Sequence, residues 1–333
     1  MNKKMRPPVN GGGAFMLFLL VWNIILTFAV SAVYFFSRGA FRESFFLTPW
    51  YIIASQICAF LVPLCVWRVV FAKRGESQDN KFAERFPREN PGAINFILII
   101  ALSLCLQPAM MLLSAASSIF FPNNVAGTLS EMGGFSFVSM LAALALTPAL
   151  CEEAVFRGFI LSHYKNFSIK KAAFVNGLFF GIIHLDAQQL VYAFAMGFVF
   201  AVFVYYTRSV LAGVAAHFCI NAAQLAIERI ISAAGIGLEE GAAYFENGEA
   251  YSAMLYLFAV SLIFLPAVII LFRSFITHNR RRMTRSEILA GMRVSEPPDA
   301  LREEESDQCG AGAFDAAFWL TVLIYVLFIA FVV

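Results

Sequence analysis

Long apolar runs, each long enough to cross a bilayer, constrain this chain more than any other feature. A spanning helix needs roughly 20 mostly apolar residues. Such runs lie at about 14–36, 50–71, 93–121, 135–162, 189–206, 210–231, 253–276 and 314–333, with a shorter one of about 14 residues at 172–185. The composition agrees, with 60% hydrophobic residues, 37 Phe and only 14% charged residues, where a soluble domain carries about 25% charged. The expected fold is all-α: a polytopic integral membrane helix bundle of 8–9 transmembrane helices. Three regions are expected: 1–89 with two spans and a charged loop, 90–232 as a helical core, and 233–333 with the last spans around a solvated linker at 277–312. The first run is longer than a signal-peptide core and reads as an anchor.

Lys and Arg in alternate loops set the orientation. Lys3, Lys4 and Arg6 precede the first run, six Lys/Arg from Arg68 to Arg88 follow the second, and Lys165, Lys170 and Lys171 follow the fourth. Arg208 follows the sixth, and Arg280, Arg281, Arg282 and Arg285 follow the eighth. The intervening loops are poor in positive charge: 122–134 has none, and 232–251 has four Glu with no Lys or Arg. Only Arg38 and Arg42 dissent. The expected protein is a multi-pass protein of the cell membrane with a cytoplasmic N-terminus and, for nine spans, an external C-terminus. The net charge of +2 is spent on topology, and nucleic acid is not an expected partner. The six cysteines show no CxxC spacing, and five lie in or beside apolar runs, where they read as small buried hydrophobes. No internal repeat is visible.

Ionisable residues at depth are the informative exceptions, because placing one in hydrocarbon costs at least about 2.5 kcal/mol. They are Glu152, Glu153 and Arg157 in the fourth run, His184 at the end of the fifth and His217 in the seventh. Five such residues on three segments are expected to converge. Glu153 and Arg157 share a helix face and can pair, which reads first as a structural ion pair. Glu152 lies about 100° round the helix with no cation at i+4, and an unpaired buried carboxylate points to function. His217 and Asn221 share a face, as do Phe180 and His184. Gly177 and Gly181 form a small-xxx-small pair, and Gly213, Ala216 and Ala222 flank His217. Taken alone, His217 and Asn221 also read as interhelical hydrogen-bonding glue. His163 and His278 lie beside basic loops and read as surface residues.

The motifs "EEAVFR", "FGIIH" and "HFCIN" fit EExxxR, FxxxH and HxxxN. In this order they resemble the CPBP family of CAAX proteases and bacteriocin-processing enzymes, also called Abi, whose relatives include type II CAAX prenyl endopeptidases. The resemblance covers roughly 90–232. It implies an intramembrane endopeptidase in which the first Glu and first His, here Glu152 and His184, handle a water.

The residues themselves are compatible with that chemistry. No Ser/His/Asp set presents itself on these helices. One arrangement is a zinc site from Glu152, His184 and His217 with an open position for water. The other is metal-free, with Glu152 as base, His184 orienting the water, and His217 and Asn221 at the oxyanion; Asn221 suits a donor better than a zinc ligand. The expected partners are the lipid bilayer and a membrane-embedded or lipid-associated peptide. The other readings are a non-catalytic membrane partner or bacteriocin-immunity protein of the same fold, and an ion-coupled transporter. A prenyl-binding groove is not legible in the sequence.

Overall fold

The structure, a computed structural model, describes residues 11–37, 43–72, 89–164, 167–233, 250–289 and 312–332. Lys3, Lys4, Arg6, Arg38, Arg42, most of the charged loop after the second run, the acidic loop at 234–249, Cys309 and the linker at 290–311 lie outside them.

The described residues form nine principal helices and no strand. They are α1 (Gly11–Phe36), α2 (Pro49–Val70), α3 (Ala93–Ser118), α4 (Phe137–Tyr164), α5 (Ile169–Ile182), α6 (Ala187–Thr207), α7 (Val210–Ala233), α8 (Ala250–Leu289) and α9 (Ala316–Val332). All but α5 and α9 are long and apolar enough to cross a membrane, and the protein is a polytopic helical membrane protein. Helix α5 has 14 residues, or about 21 Å, against a hydrocarbon core of about 30 Å. A helix of this length is too short to cross, and His184 follows two residues after its end.

Capping residues start several of these helices. Thr48 caps α2 and Ser136 caps α4. Ser168 caps α5, and the Asp186 carboxylate caps α6 by accepting from the Gln188 and Gln189 backbone N–H groups. Each supplies an acceptor to N–H groups that a helix start leaves unpaired.

Helix α4 is central, with α1, α2, α5, α6 and α7 packed on it. Helix α3 lies across α6, α7 and α8, and α9 lies against α1. Helices α5 and α6 are the most closely packed pair. A Cβ at Gly177 would sit 2.8 Å from the Phe194 carbonyl, and one at Gly181 2.8 Å from the Leu190 carbonyl. The expected small-residue pair is therefore used, together with Gly197 from the opposite helix, where a Cβ would meet Phe180. Outward faces carry bare apolar side chains such as Ile25, Ile97, Leu255, Ile263 and Phe331, as lipid contact requires.

Three expectations need correction. The basic stretch from 277 is not a linker from its first residue, because α8 runs on as helix to Leu289. Cys58 and Cys65 are exposed on α2 rather than buried, and Cys151 is the one fully buried cysteine among the described residues. His163 and His278 are half-buried; the His163 ring packs on Phe159, with Nδ1 2.9 Å from the Phe159 carbonyl.

Candidate active site

Helix α4 is irregular. Two π-helical segments, Leu141–Leu146 and Ala154–Ile160, flank the α-helical turn Thr147–Glu153 that carries both glutamates. Pro148 accounts for part of this, since it has no N–H to return to the Leu144 carbonyl. That carbonyl instead accepts from Asn221 Nδ2 on α7, at 3.0 Å. At the second π segment the Phe156 carbonyl accepts the Leu161 backbone N–H, and Asn176 of α5 adds a second donor at 2.9 Å. Broken backbone pairing is tolerated where buried partners take it up, and Asn221 does so here.

On this helix Glu153 and Arg157 are both fully buried and paired, with Arg157 Nη1 2.7 Å from Glu153 Oε1. The same carboxylate oxygen lies 3.0 Å from His217 Nδ1 of α7, an arrangement that fixes the ring with Nε2 left over for other work. Arg157 Nη2 also donates to the Gly197 carbonyl of α6 at 3.0 Å. The guanidinium lies 4.5 Å from the Phe180 ring centroid and 5.2 Å from that of Phe200, a cation–π setting suited to a desolvated charge. Phe200 also stacks on His217, with centroids 5.4 Å apart. Gly213 makes room for this cluster: a Cβ there would run into the Glu153 carboxylate.

His184 follows α5, and its Nδ1 lies 2.7 Å from the Phe180 carbonyl. A carbonyl can only accept, so Nδ1 carries hydrogen and Nε2 is again the free nitrogen. The Phe180 ring stands edge-on to both histidines, 5.1 Å from His184 and 5.7 Å from His217. Arg157, His184 and His217 thus gather around Phe180, Glu153 is joined to two of them, and Glu152 is the preceding residue of α4.

Glu152 differs from its neighbour. It is 5% exposed and makes no ion pair, although both acids keep a buried Oε2 without a hydrogen-bond partner. Asn221, expected as a free donor at an oxyanion, has one of its two amide hydrogens committed to the Leu144 carbonyl. Glu152, His184 and His217 do not assemble into a metal-holding group; among the described residues no three His, Cys, Asp or Glu side chains do.

Phe200, Gly197 and Asn176 were not singled out from the sequence. Phe200 and Gly197 are ordinary residues of apolar helices, Gly197 acting through its backbone carbonyl. Asn176, a buried amide in the "NGLFFGIIH" run, is a polar residue at depth and could have been found by the same reasoning that found His184.

A helical membrane bundle whose central helix buries two acids and an arginine against two histidines defines a class of membrane-embedded polar site. Residues 134–223, from just before α4 to just past Asn221, are similar to the family described as Type II CAAX prenyl endopeptidase Rce1-like. No curated protein and no solved structure matches the chain. Helix α3, which the resemblance took in from about residue 90, lies outside the matched segment.

Proposed function

We propose that the chain is an endopeptidase that cleaves membrane-embedded or lipid-associated peptides, with Glu152 as the base that activates water. The observation that carries this reading is the contrast between adjacent acids. Glu153 is tied through Oε1 to Arg157 and His217, while Glu152, also buried, makes no ion pair; each keeps a buried Oε2 without a donor. A buried acceptor left without a donor costs about 1–3 kcal/mol, and a water supplies that donor.

In this mechanism Glu152 takes a proton from the water as its oxygen bonds to the scissile carbonyl carbon. The oxyanion needs donors, and in this mechanism His217 serves in its doubly protonated form, with Nδ1–H on Glu153 Oε1. Held by Glu153 through Nδ1, the His217 imidazolium offers Nε2–H to the tetrahedral oxyanion, joined by the remaining amide hydrogen of Asn221. The proton on Glu152 passes through His184 Nε2 to the leaving nitrogen as the C–N bond breaks. Water is divided between the two products, and every protein group returns to its starting state.

The short α5 supports a site within the membrane, since about 21 Å of helix is too short to cross and His184 follows two residues after its end. The test is cleavage of a library of membrane peptides by detergent-solubilised protein, with and without Glu152→Gln. Cleavage by the wild type alone is expected, and it should survive a strong chelator. Loss with chelator and return with zinc would replace the metal-free mechanism; substrate flux without cleavage would replace the protease.

A further inference from the structure

The outward face of α8 changes character within one helical turn. Helix α8 packs on α3 and touches α6, and on its other side Leu255, Leu262, Ile263, Ile269 and Ile270 stand bare. No residue from Ala250 to Phe272 is charged. The same stripe then continues, at helical spacing, into Arg273, Thr277, Arg280 and Arg281, all exposed. Towards the start of the helix Tyr251 and Tyr256 are exposed, and tyrosine collects where hydrocarbon meets headgroups. From Tyr251 to Arg273 the helix rises about 33 Å, against a hydrocarbon core of about 30 Å. Arg273 therefore emerges at the level of the lipid headgroups, on a face turned to lipid.

The inward face of the same turns is already satisfied. Asn279 and Asn95 exchange amide hydrogen bonds at 2.7 and 2.9 Å, and Arg282 donates to the Asn90 and Pro91 carbonyls. Arg273 and Arg281 differ, because neither has a hydrogen bond or an ion pair among the described residues. They lie about 12 Å apart along the axis, with Thr277 midway on the same face. Side chains on a helix lean toward its N-terminus, which directs Arg281 back toward Thr277. A long basic side chain at the hydrocarbon boundary snorkels out to the headgroup layer, which directs Arg273 forward to the same level.

The geometry points to a lipid-binding site on this face, in which Arg273 and Arg281 hold the phosphate of an acidic phospholipid between them at the level of Thr277. A guanidinium presents paired N–H donors that match phosphate oxygens. Two guanidiniums outweigh the single charge of a phosphodiester, so a lipid of net negative charge is preferred to one whose own ammonium balances its phosphate. The acyl chains of that lipid lie along the apolar stripe from Ile270 towards Leu255. Free phosphate offers the arginines the same oxygens but gains nothing from the stripe.

Thermal unfolding of the full-length protein in a neutral detergent tests the inference, with phosphatidylglycerol, phosphatidylcholine or inorganic phosphate added at matched phosphate concentration. Phosphatidylglycerol should raise the melting temperature of the wild type, and the other two should raise it far less. Without lipid, Arg273→Gln and Arg281→Gln should melt like the wild type, since neither arginine has a partner to lose. In each variant the phosphatidylglycerol concentration giving half the shift should rise about fivefold, the effect of one arginine at an anionic surface. The double variant should need more still. No shift in the wild type, an equal shift with phosphatidylcholine, or a shift that the double variant retains overturns the site. An equal shift with inorganic phosphate overturns the lipid as its occupant. Single variants that halve the shift at an unchanged midpoint would mean two separate weak sites and overturn the shared headgroup. No turnover is read, so the result stands apart from the proposed proteolysis.

Discussion

Glu152 and Glu153 are neighbours in the chain, yet their surroundings give them separate jobs. Glu153 joins three helices through one carboxylate: Arg157 on α4, whose other nitrogen reaches α6, and His217 on α7. Replacing Glu153 with Gln leaves Arg157 buried without its counter-charge, and breaking a buried pair from one side costs about 3–5 kcal/mol. Glu153→Gln should therefore lower the melting temperature sharply and, by loosening His217, lower turnover too. Glu152→Gln removes no ion pair, so it should melt like the wild type while turnover falls at least about 10²-fold, the lower end for general acid–base catalysis. Detergent-solubilised melting and turnover of both variants decide the matter; equal stability losses would refute the division. At this scale the sequence was informative wherever charge sits in hydrocarbon, since that cost marks a residue regardless of context. The Glu153–Arg157 pair followed from i,i+4 spacing. The link from Glu153 to His217 spans 64 residues, and no local pattern reports it. Phe200 carries no mark that separates a ring stacked on His217 from the many rings facing lipid.

Most helices could be placed from the sequence because the length of an apolar run is set by bilayer thickness. Irregularities inside them could not be placed, because an all-round apolar helix has no polar face whose period could betray a π-helical turn. Pro148 was the only local hint in α4. Its consequence is visible across the bundle, where Asn221 donates to the carbonyl that lacks a proline N–H. Asn221→Ala should strand the Leu144 carbonyl at a cost of about 1–3 kcal/mol. In a Pro148→Ala background the restored N–H can serve that carbonyl, so the same change should cost less than about 1 kcal/mol. Thermal unfolding of the two single variants and the double variant measures the difference. Identical losses in both backgrounds would mean that Asn221 is retained for another reason, its remaining hydrogen at the oxyanion being the first to examine.

At the scale of the whole molecule, the basic residues used to read orientation turn out to be neighbours. Arg282, near the end of α8, donates to the Asn90 and Pro91 carbonyls just before α3. Arg208, in the turn after α6, lies 3.6 Å from Glu89, whose backbone N–H donates to the Arg208 carbonyl. The start of α3, the end of α6 and the basic end of α8 therefore occupy one end of the bundle, as alternating topology requires. Helix α8, at 40 residues, is about 60 Å long, roughly twice the hydrocarbon thickness. Its arginine-bearing end must project beyond the membrane, and a dense cluster of positive charge is retained on the cytoplasmic side. We propose on this basis that 280–289 faces the cytoplasm, with Arg282 and Arg208 holding the Asn90 segment against it. In a protein whose native cysteines are replaced, a single cysteine at Ser286→Cys should resist a membrane-impermeant thiol reagent in intact cells and react once the membrane is opened. Labelling from outside intact cells would invert this topology, carry the α3 start and Arg208 to the exterior with it, and leave the fold itself unchanged.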